Sequence, residues 1–399
     1  MTKIIETDLK LQNGYKVHVN DSYLDTYKDD ILSFLDGLDE FKTLDFAKNI
    51  MMGQEIKANN TIEGIVDDLS IIDEVIKTKE DLSSEERKRI INLYHGYEYI
   101  LKHRSIDRES IADLYALLSN GLLDEYNLKN TSRYHREAPV YIQRNSRIEG
   151  CPYTDNMSRY FYDPMFDFNR NAFHGIKVDE IDEYMKLLID YVNNDKDKNS
   201  IDSFIKSQII HFYFVYIHPY MDVNGRTSRT IAMWYLLNKE EFPYIIFNEA
   251  IAFNKGYEDN IMKSRDRGDL TLFLKYMMIS VQKELEKHYL INNISSNYGE
   301  YMNKELKQLI QYIISMKGTI TIKDITTFYN SYNSKKSPIK LYEEMIKPLL
   351  DENVLVKGKD TKKYIDGDIK NSFIYLNDDL IDVDEKKFKY LKLERFHNK

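Results

Sequence analysis

The sequence predicts a mainly α-helical protein with one short β-hairpin in its body and a smaller α/β unit towards its C-terminus. Three observations carry that prediction. Apolar residues recur at spacings of three and four over long stretches, strand-like alternation is scarce, and only 7 prolines and 15 glycines punctuate 399 residues. Eight stretches follow the helical period: Asp30–Leu38, Leu44–Ile56, Glu85–Leu101, Arg108–Leu123, Val178–Asn193, Ile201–Ile217, Thr227–Leu237 and Leu270–Glu286. Ala138–Ile142 (APVYI) mixes apolar and polar character over a short run and is the strand candidate. Gln143–Phe168 is rich in Asn, Ser, Pro, Gly and Asp, which predicts a loop.

A composition shift at Ser295–Gly299 (SSNYG) predicts a linker. Beyond it Lys304–Met316 reads as a helix, Thr319–Tyr329 opens with a β-like TIT and turns helical, and Ser337–Glu352 is helical again. Val354–Lys357 and Ser372–Leu376 look like strands around a charged turn. Three helices followed by a hairpin is the order of a winged helix. The expected division is therefore a helical region over residues 1–104, a central core over 105–294 and a winged-helix-like unit over 300–399.

Hydrophobic residues make up 42% of the chain and charged residues 30%, as in a soluble protein with a real core. No apolar run reaches the roughly 18 residues of a membrane span. The first residues, MTKIIETDLKLQNG, lack the apolar stretch of a secretory signal. The single cysteine, Cys151, cannot form an internal disulfide and fits a reducing compartment, so a cytoplasmic location is expected. A net charge of −9 argues against a whole-chain nucleic-acid binder.

The chemistry concentrates in His218–Arg229, HPYMDVNGRTSR, between two helical patterns. Asn224-Gly225, at the end of the loop, can adopt φ > 0 conformations that aim successive backbone N–H groups at one point, with a helix starting at Arg226. The helix that follows presents its positive dipole end to that loop, which makes an anion cradle suited to phosphates. Arg226 and Arg229 lie three apart on that helix and match phosphate oxygens with paired hydrogen bonds. Asp222 is a hard oxygen ligand of the kind Mg²⁺ takes beside substrate phosphates. The His218 imidazole, neutral near pH 7, suits removal of a proton from an attacking hydroxyl. The chain has no G-x-x-x-x-G-K-[ST], G-x-G-x-x-G or H-E-x-x-H motif.

His218–Arg229 resembles the signature of the Fic family, H-P-F-x-[D/E]-G-N-G-R-x-x-R. Tyr220 stands for the usual Phe, and Val223 for the first Gly, a position where a φ above zero would strain a β-branched residue. His211–Ile217 resembles the helix leading into the signature, and Tyr134–Ile142 the family's R-x-x-x-V-x-I segment, with Arg136, Val140 and Ile142 in register. Ser264–Phe273 resembles the segment that closes the adenosine side of the pocket. The resemblance runs from about Asp45 to Ser280. It implies a Fic-type helical bundle over 105–294 and a protein adenylyltransferase that moves AMP from ATP, with Mg²⁺, onto Tyr, Thr or Ser hydroxyls of target proteins. By the same resemblance His218 is the base and Asp222 holds the metal. Val223, Asn224, Gly225, Arg226, Thr227, Ser228 and Arg229 hold the nucleotide, and Val140, Tyr141 and Ile142 form a flap that docks the target by strand addition. Some of the 32 tyrosines would then be candidates for self-modification.

Ala58–Ile65 (ANNTIEGI) resembles the family's inhibitory helix, [S/T]-x-x-x-E-[G/N], placed here ahead of the core. Glu63 and Gly64 match, and Asn59 stands where Ser or Thr is usual. The resemblance implies that Glu63 pairs with Arg229 and keeps it from the γ-phosphate. A second function class stays open: a winged-helix regulator that binds DNA or protein and carries a weak or vestigial Fic core. In the C-terminal unit Lys and Arg outnumber Asp and Glu, yet Ser337–Glu352 bears Glu343, Glu344, Asp351 and Glu352, which would meet DNA phosphates. Protein docking or support of a homodimer is favoured there over DNA.

Overall fold

The computed structural model describes residues 3–35, 45–63, 69–78, 84–143, 172–194, 200–239, 247–252, 261, 264, 267–282, 309, 320–332, 335–351, 355–357 and 373–376. The chain opens with an antiparallel ribbon, β1 (Ile4–Lys10) and β2 (Lys16–Asn20), followed by α1 (Asp21–Leu35). The helices α2 (Asp45–Ile62), α3 (Leu69–Thr78), α4 (Glu85–Lys102), α5 (Arg108–Ser119) and α6 (Glu125–Lys129) come next. The pair β3 (Tyr141–Gln143) and β4 (Ala172–His174) is antiparallel, with Tyr141 opposite His174. Then follow α7 (Ile181–Asn193), α8 (Ser200–Ile217), α9 (Asn224–Asn238), α10 (Phe247–Ala252) and a helix over residues 271–282, α11.

The body is mainly helical with a small hairpin, as the sequence predicts. At its centre α8 packs along α9. Helix α8 is apolar nearly all round and is accordingly buried: Phe204, Ile210, Tyr213, Phe214 and Ile217 have no exposed surface. Trp234 of α9 is equally enclosed, and its indole N–H donates to the His103 carbonyl at 2.6 Å. Local signals set the outer helices. Ser84 accepts from the Arg87 N–H to cap α4, and Asp107 forms a capping box with Ser110 at the start of α5.

The N-terminal ribbon is a correction to the sequence reading, which placed a first helix at Asp30–Leu38 and only one hairpin in the body. Leu9, Leu11, Val17 and Val19 are buried on one face of it. Gly14, at φ +87°, makes the turn. The edge of β2 is covered by the segment before α11: the His18 N–H donates to the Gly268 carbonyl at 2.8 Å, and the Leu270 N–H to the His18 carbonyl at 3.0 Å. The Tyr213 hydroxyl on α8 donates to the Lys10 carbonyl at 2.7 Å. Helices α3, α6 and α10 are also additions to the predicted set.

Towards the C-terminus β5 (Ile320–Thr321) leads into α12 (Ile322–Tyr332). A second helix runs from Pro338–Leu341 through a π turn at Tyr342–Ile346 to Lys347–Asp351, and is called α13. Strands β6 (Leu355–Lys357) and β7 (Phe373–Leu376) complete a three-stranded antiparallel sheet in the order β5-β7-β6. The expected linker at Ser295–Gly299 and the loop from 144 to 168 lie outside the described residues.

Gly268 has φ +70°, and a Cβ there would stand 2.5 Å from the Lys16 carbonyl oxygen. Gly268→Ala is expected to combine backbone strain with a clash against the ribbon and to destabilise by about 2 kcal/mol or more. Chemical denaturation of the two proteins measures it.

Candidate active site

The turn between α8 and α9 is built from its own polar side chains. The Asn224 Oδ1 accepts from the Tyr220 N–H at 3.0 Å, and its Nδ2 donates to the Tyr220 carbonyl at 2.8 Å, closing the loop from both sides. The Asp222 Oδ1 accepts from the Val223 N–H at 2.6 Å. Tyr220 is buried and stacks on Tyr115 with ring centroids 3.5 Å apart, so its ring fills a core slot as a Phe would. Val223 takes φ +66°, the left-handed region where a β-branched residue is strained, and Asn224 and Gly225, where the sequence placed the positive φ, already belong to α9. Its side chain is only 3% exposed and belongs to the hydrophobic core.

Val223 is also the N-cap of α9, with no side-chain cap. That contrasts with α4, α5 and α6, capped by Ser84, Asp107 and Asp124. The first turn of α9 thus meets its surroundings with backbone N–H groups that no cap takes up. The hydroxyls of Thr227 and Ser228 bond back to the carbonyls of Val223 and Gly225, each at 2.8 Å. Both side chains are thus turned back on their own helix, and the Thr227 N–H is bonded to the Val223 carbonyl as well.

Arg226 is 6% exposed, and its Nε and Nη1 have no hydrogen-bond partner among the described residues. Burial presses its guanidinium below the ordinary arginine value, while Glu63 and Asp222 pull it back up. An enclosed guanidinium with unmatched donors beside an uncapped helix start is what an oxyanion would complete. The donor set fits a phosphate chain. Asp222 is exposed at the mouth of the turn, and the described residues contain no group of three or more His, Cys, Asp or Glu that could hold a metal by itself. The Asp222 carboxylate is a hard oxygen ligand that would hold a Mg²⁺ ion beside bound phosphates.

His218 enters the turn at φ +51°. Its Nδ1 lies 3.2 Å from the Val215 carbonyl oxygen, a contact that puts the ring proton on Nδ1 and leaves Nε2 as the basic nitrogen.

Arg229 is enclosed at the far side. Its Nε and Nη2 both donate to the Asn59 Oδ1, at 2.9 and 2.6 Å, and its Nη2 also donates to the Glu63 Oε1 at 2.5 Å. Asn59 and Glu63 therefore meet Arg229 together, from the end of α2. The Asn59 Nδ2 donates in turn to the Tyr97 hydroxyl at 3.0 Å, a partner the sequence did not indicate. The Glu63 side chain is 36% exposed. Burial raises its carboxyl, but Arg229, then Arg226 and His218, outweigh that and hold it below the ordinary carboxylate range. Gly225 permits the approach, since a Cβ there would stand 2.7 Å from the Glu63 Oε1. Gly64 lies outside the described residues. Behind Arg229, burial and that cation push the His211 imidazole down to about 3, so it is neutral at any ordinary pH.

Of the flap residues, Val140 is buried at the foot of β3, and its carbonyl accepts from the Gly175 N–H at 3.1 Å. Tyr141 and Ile142 are placed in β3 by their backbone.

Residues 106–236 match the Fic/DOC family. The match runs from the lead-in to α5 nearly to the end of α9 and includes all of His218–Arg229. Proteins of this family transfer nucleotide-derived groups onto proteins. No curated protein matches the chain. Among solved structures, a Fic family protein from Desulfovibrio desulfuricans G20 is similar at 17% identity and a TM-score of 0.54, over 89% of this chain and 95% of that one. That likeness speaks for the fold alone. A fragment of Fic-1 from C. elegans is 17% identical with a TM-score of 0.49, over 69% of this chain and 75% of that one. A Fic domain containing signalling protein from Bacteroides thetaiotaomicron VPI-5482 is 13% identical with a TM-score of 0.48, over 65% and 95%. None of the described helices is long and apolar enough to cross a membrane.

Two measurements test this geometry. Relief of left-handed strain at Val223, about 1–2 kcal/mol, offsets the loss of a buried isopropyl group in Val223→Gly, which should stay within about 1 kcal/mol of the parent. Val223→Ala loses the burial with little relief and should fall by about 1–2 kcal/mol. The Glu63 carboxyl, lowered on folding, contributes stability that is complete above its ordinary value of about 4.3 and is lost as pH falls through the lowered value. The melting-temperature gap between the parent and Glu63→Gln should hold constant above pH ~5 and close below pH ~4.

Proposed function

We propose that this protein is an AMP transferase that moves AMP from ATP to hydroxyl side chains of target proteins, and that Glu63 and Asn59 restrain it by holding Arg229. The observation that carries the reading is Arg226: an enclosed guanidinium with two unmatched donors, beside the uncapped first turn of α9 and near His218 and Asp222. Enclosed guanidinium donors left unmatched are costly, and a triphosphate supplies acceptors for them.

In this mechanism Arg226 and the N–H groups of the turn hold phosphate oxygens, and Arg229 joins them once Asn59 and Glu63 let go. Mg²⁺, held by Asp222, would neutralise phosphate charge when bound. The target chain adds to β3 along Val140–Ile142, which presents its hydroxyl to His218. His218 Nε2 takes the hydroxyl proton, and the oxygen attacks the α-phosphorus. The new O–P bond forms as the bond to the β-phosphate bridging oxygen breaks, and pyrophosphate leaves with the electron pair. Asn224, both ends of its amide bound to Tyr220, keeps the turn rigid through these steps.

The chain divides, in this reading, into residues 1–104 with the inhibitory helix, the catalytic core at 105–294 and a winged-helix unit at 300–399 that docks protein partners or a second copy. The acidic Glu343, Glu344 and Asp351 on α13 favour protein over DNA there. The enzyme works in the cytoplasm, and its own tyrosines are among its candidate targets.

Mass spectrometry after incubation with ATP and Mg²⁺ tests the reading. A gain of one AMP on the protein or on a co-incubated target is expected. His218→Ala should lower transfer about 10²–10⁴-fold. A charge-assisted hydrogen bond nets about 1.5–3 kcal/mol. Since Glu63 is partly exposed, Glu63→Gly should raise transfer by the lower end of that range, about tenfold. Equal transfer by the parent and Glu63→Gly would remove Glu63 from the mechanism. No AMP gain from either would end the proposal.

A further inference from the structure

Tyr134–Ile142 contains a residue that neither the phosphate cradle nor the brake uses. Arg136 has no exposed surface. Its Nε donates to the His218 carbonyl at 2.9 Å, its Nη1 to the Ala138 carbonyl at 2.9 Å, and its Nη2 to the Ile176 carbonyl. Its backbone N–H donates to the Pro219 carbonyl at 2.7 Å. Every one of these partners is a backbone carbonyl. Burial pushes the guanidinium down to about 10, which still leaves it a cation at neutral pH. Gly175 makes the space, since a Cβ there would stand 2.6 Å from the Arg136 Nη2 and 2.9 Å from the Val140 Cγ2.

Packing alone is a poor account of this residue. A leucine or methionine would fill the volume without the cost of enclosing a charge. What a guanidinium adds is a planar fork with donors in fixed directions. Here the fork meets three segments. One is the turn that carries His218, one is the chain entering β3, and one is the chain leaving β4. His218 sits at φ +51°, and a non-glycine residue persists in such a conformation only where its surroundings over-determine it. Arg136 fixes the first two carbonyls of that turn, residue 218 through its side chain and residue 219 through its backbone.

We propose that Arg136 is a positioning residue of the transfer reaction: its guanidinium ties both legs of the β3–β4 hairpin to the turn bearing His218, and so sets the imidazole against a docked target hydroxyl. The proposal rests on the AMP-transfer reading of the site. It assigns Arg136 no contact with nucleotide or target. The hairpin and the base then move as one unit, because the same planar group holds both.

The test uses the full chain carrying Glu63→Gly, with Arg136→Met, Arg136→Lys and Gly175→Ala added singly. Three readouts are taken: ATP affinity by calorimetry, transfer kinetics, and the NMR signal of His218 in protein labelled at histidine Cε1. That signal is assigned by its loss in His218→Ala. Arg136→Met is expected to keep ATP affinity within about twofold. It should lower kcat about a hundredfold, the scale of a misplacement near 1 Å, and shift the His218 signal. Arg136→Lys, with one donor nitrogen in place of three, should recover only part of kcat. Gly175→Ala displaces the guanidinium without removing its charge and should reproduce the His218 shift, which carries the test if Arg136→Met does not fold. An unshifted His218 signal with parental kcat overturns the proposal. So does a parallel fall of ATP affinity, kcat and melting temperature, the mark of a general structural role. Should the Glu63→Gly protein transfer nothing, the AMP-transfer reading fails, while the His218 signal still decides whether Arg136 sets the turn.

Discussion

Arg229 has to be neutralised wherever it is held, because α9 carries its side chain inside the helical body, where only 2% of it is exposed. Asn59 and Glu63 of the α2 end do this, one with an amide oxygen and the other with a carboxylate. An unpaired enclosed cation costs several kcal/mol, so α2 cannot leave this contact unless another acceptor arrives. Phosphate oxygens are anionic acceptors that the same guanidinium fork can bind. The need to stabilise the fold and the proposed restraint on activity are therefore one interaction. The α2 segment is held in place by the group whose release it would control.

The amide at position 59 changes the character of that contact. A serine or threonine hydroxyl offers one short arm. The Asn59 amide accepts from two nitrogens of Arg229 and still donates to Tyr97 on α4. Arg229 is thus tied through α2 to a third helix. Much of the hold on Arg229 comes from a neutral group insensitive to pH, and Glu63 adds the charged part at the more exposed edge.

The long helices were legible in the sequence because their apolar residues repeat over many turns: α4, α5, α8 and α9 start and end within a few residues of the predicted bounds. The N-terminal ribbon was missed although its signal is there. Leu9, Leu11, Val17 and Val19 alternate on either side of Asn13-Gly14, but the run is short beside the helical pattern that follows it. At the site, residue types and spacing pointed to a phosphate cradle, while the contact of Glu63 with Arg229 was implied by the family resemblance. They could not reveal that Thr227 and Ser228 turn their hydroxyls back on α9, or that Arg136 reaches carbonyls 40 and 82 residues away. Backbone carbonyls belong to every residue, so a side chain that binds only carbonyls leaves no trace in the sequence of its partners.

Val223 shows where the order of the turn comes from. A glycine would reach φ +66° without strain, and valine does not. Yet the turn holds that conformation, with the Val223 side chain in the core, its N–H on Asp222 and its carbonyl accepting from the N–H and hydroxyl of Thr227. Asn224 closes the same turn onto Tyr220. Apolar burial and five hydrogen bonds therefore outweigh a strain of about 1–3 kcal/mol. The conformation that aims backbone N–H groups outward is imposed by the surrounding contacts, and a left-handed residue of any type is its consequence.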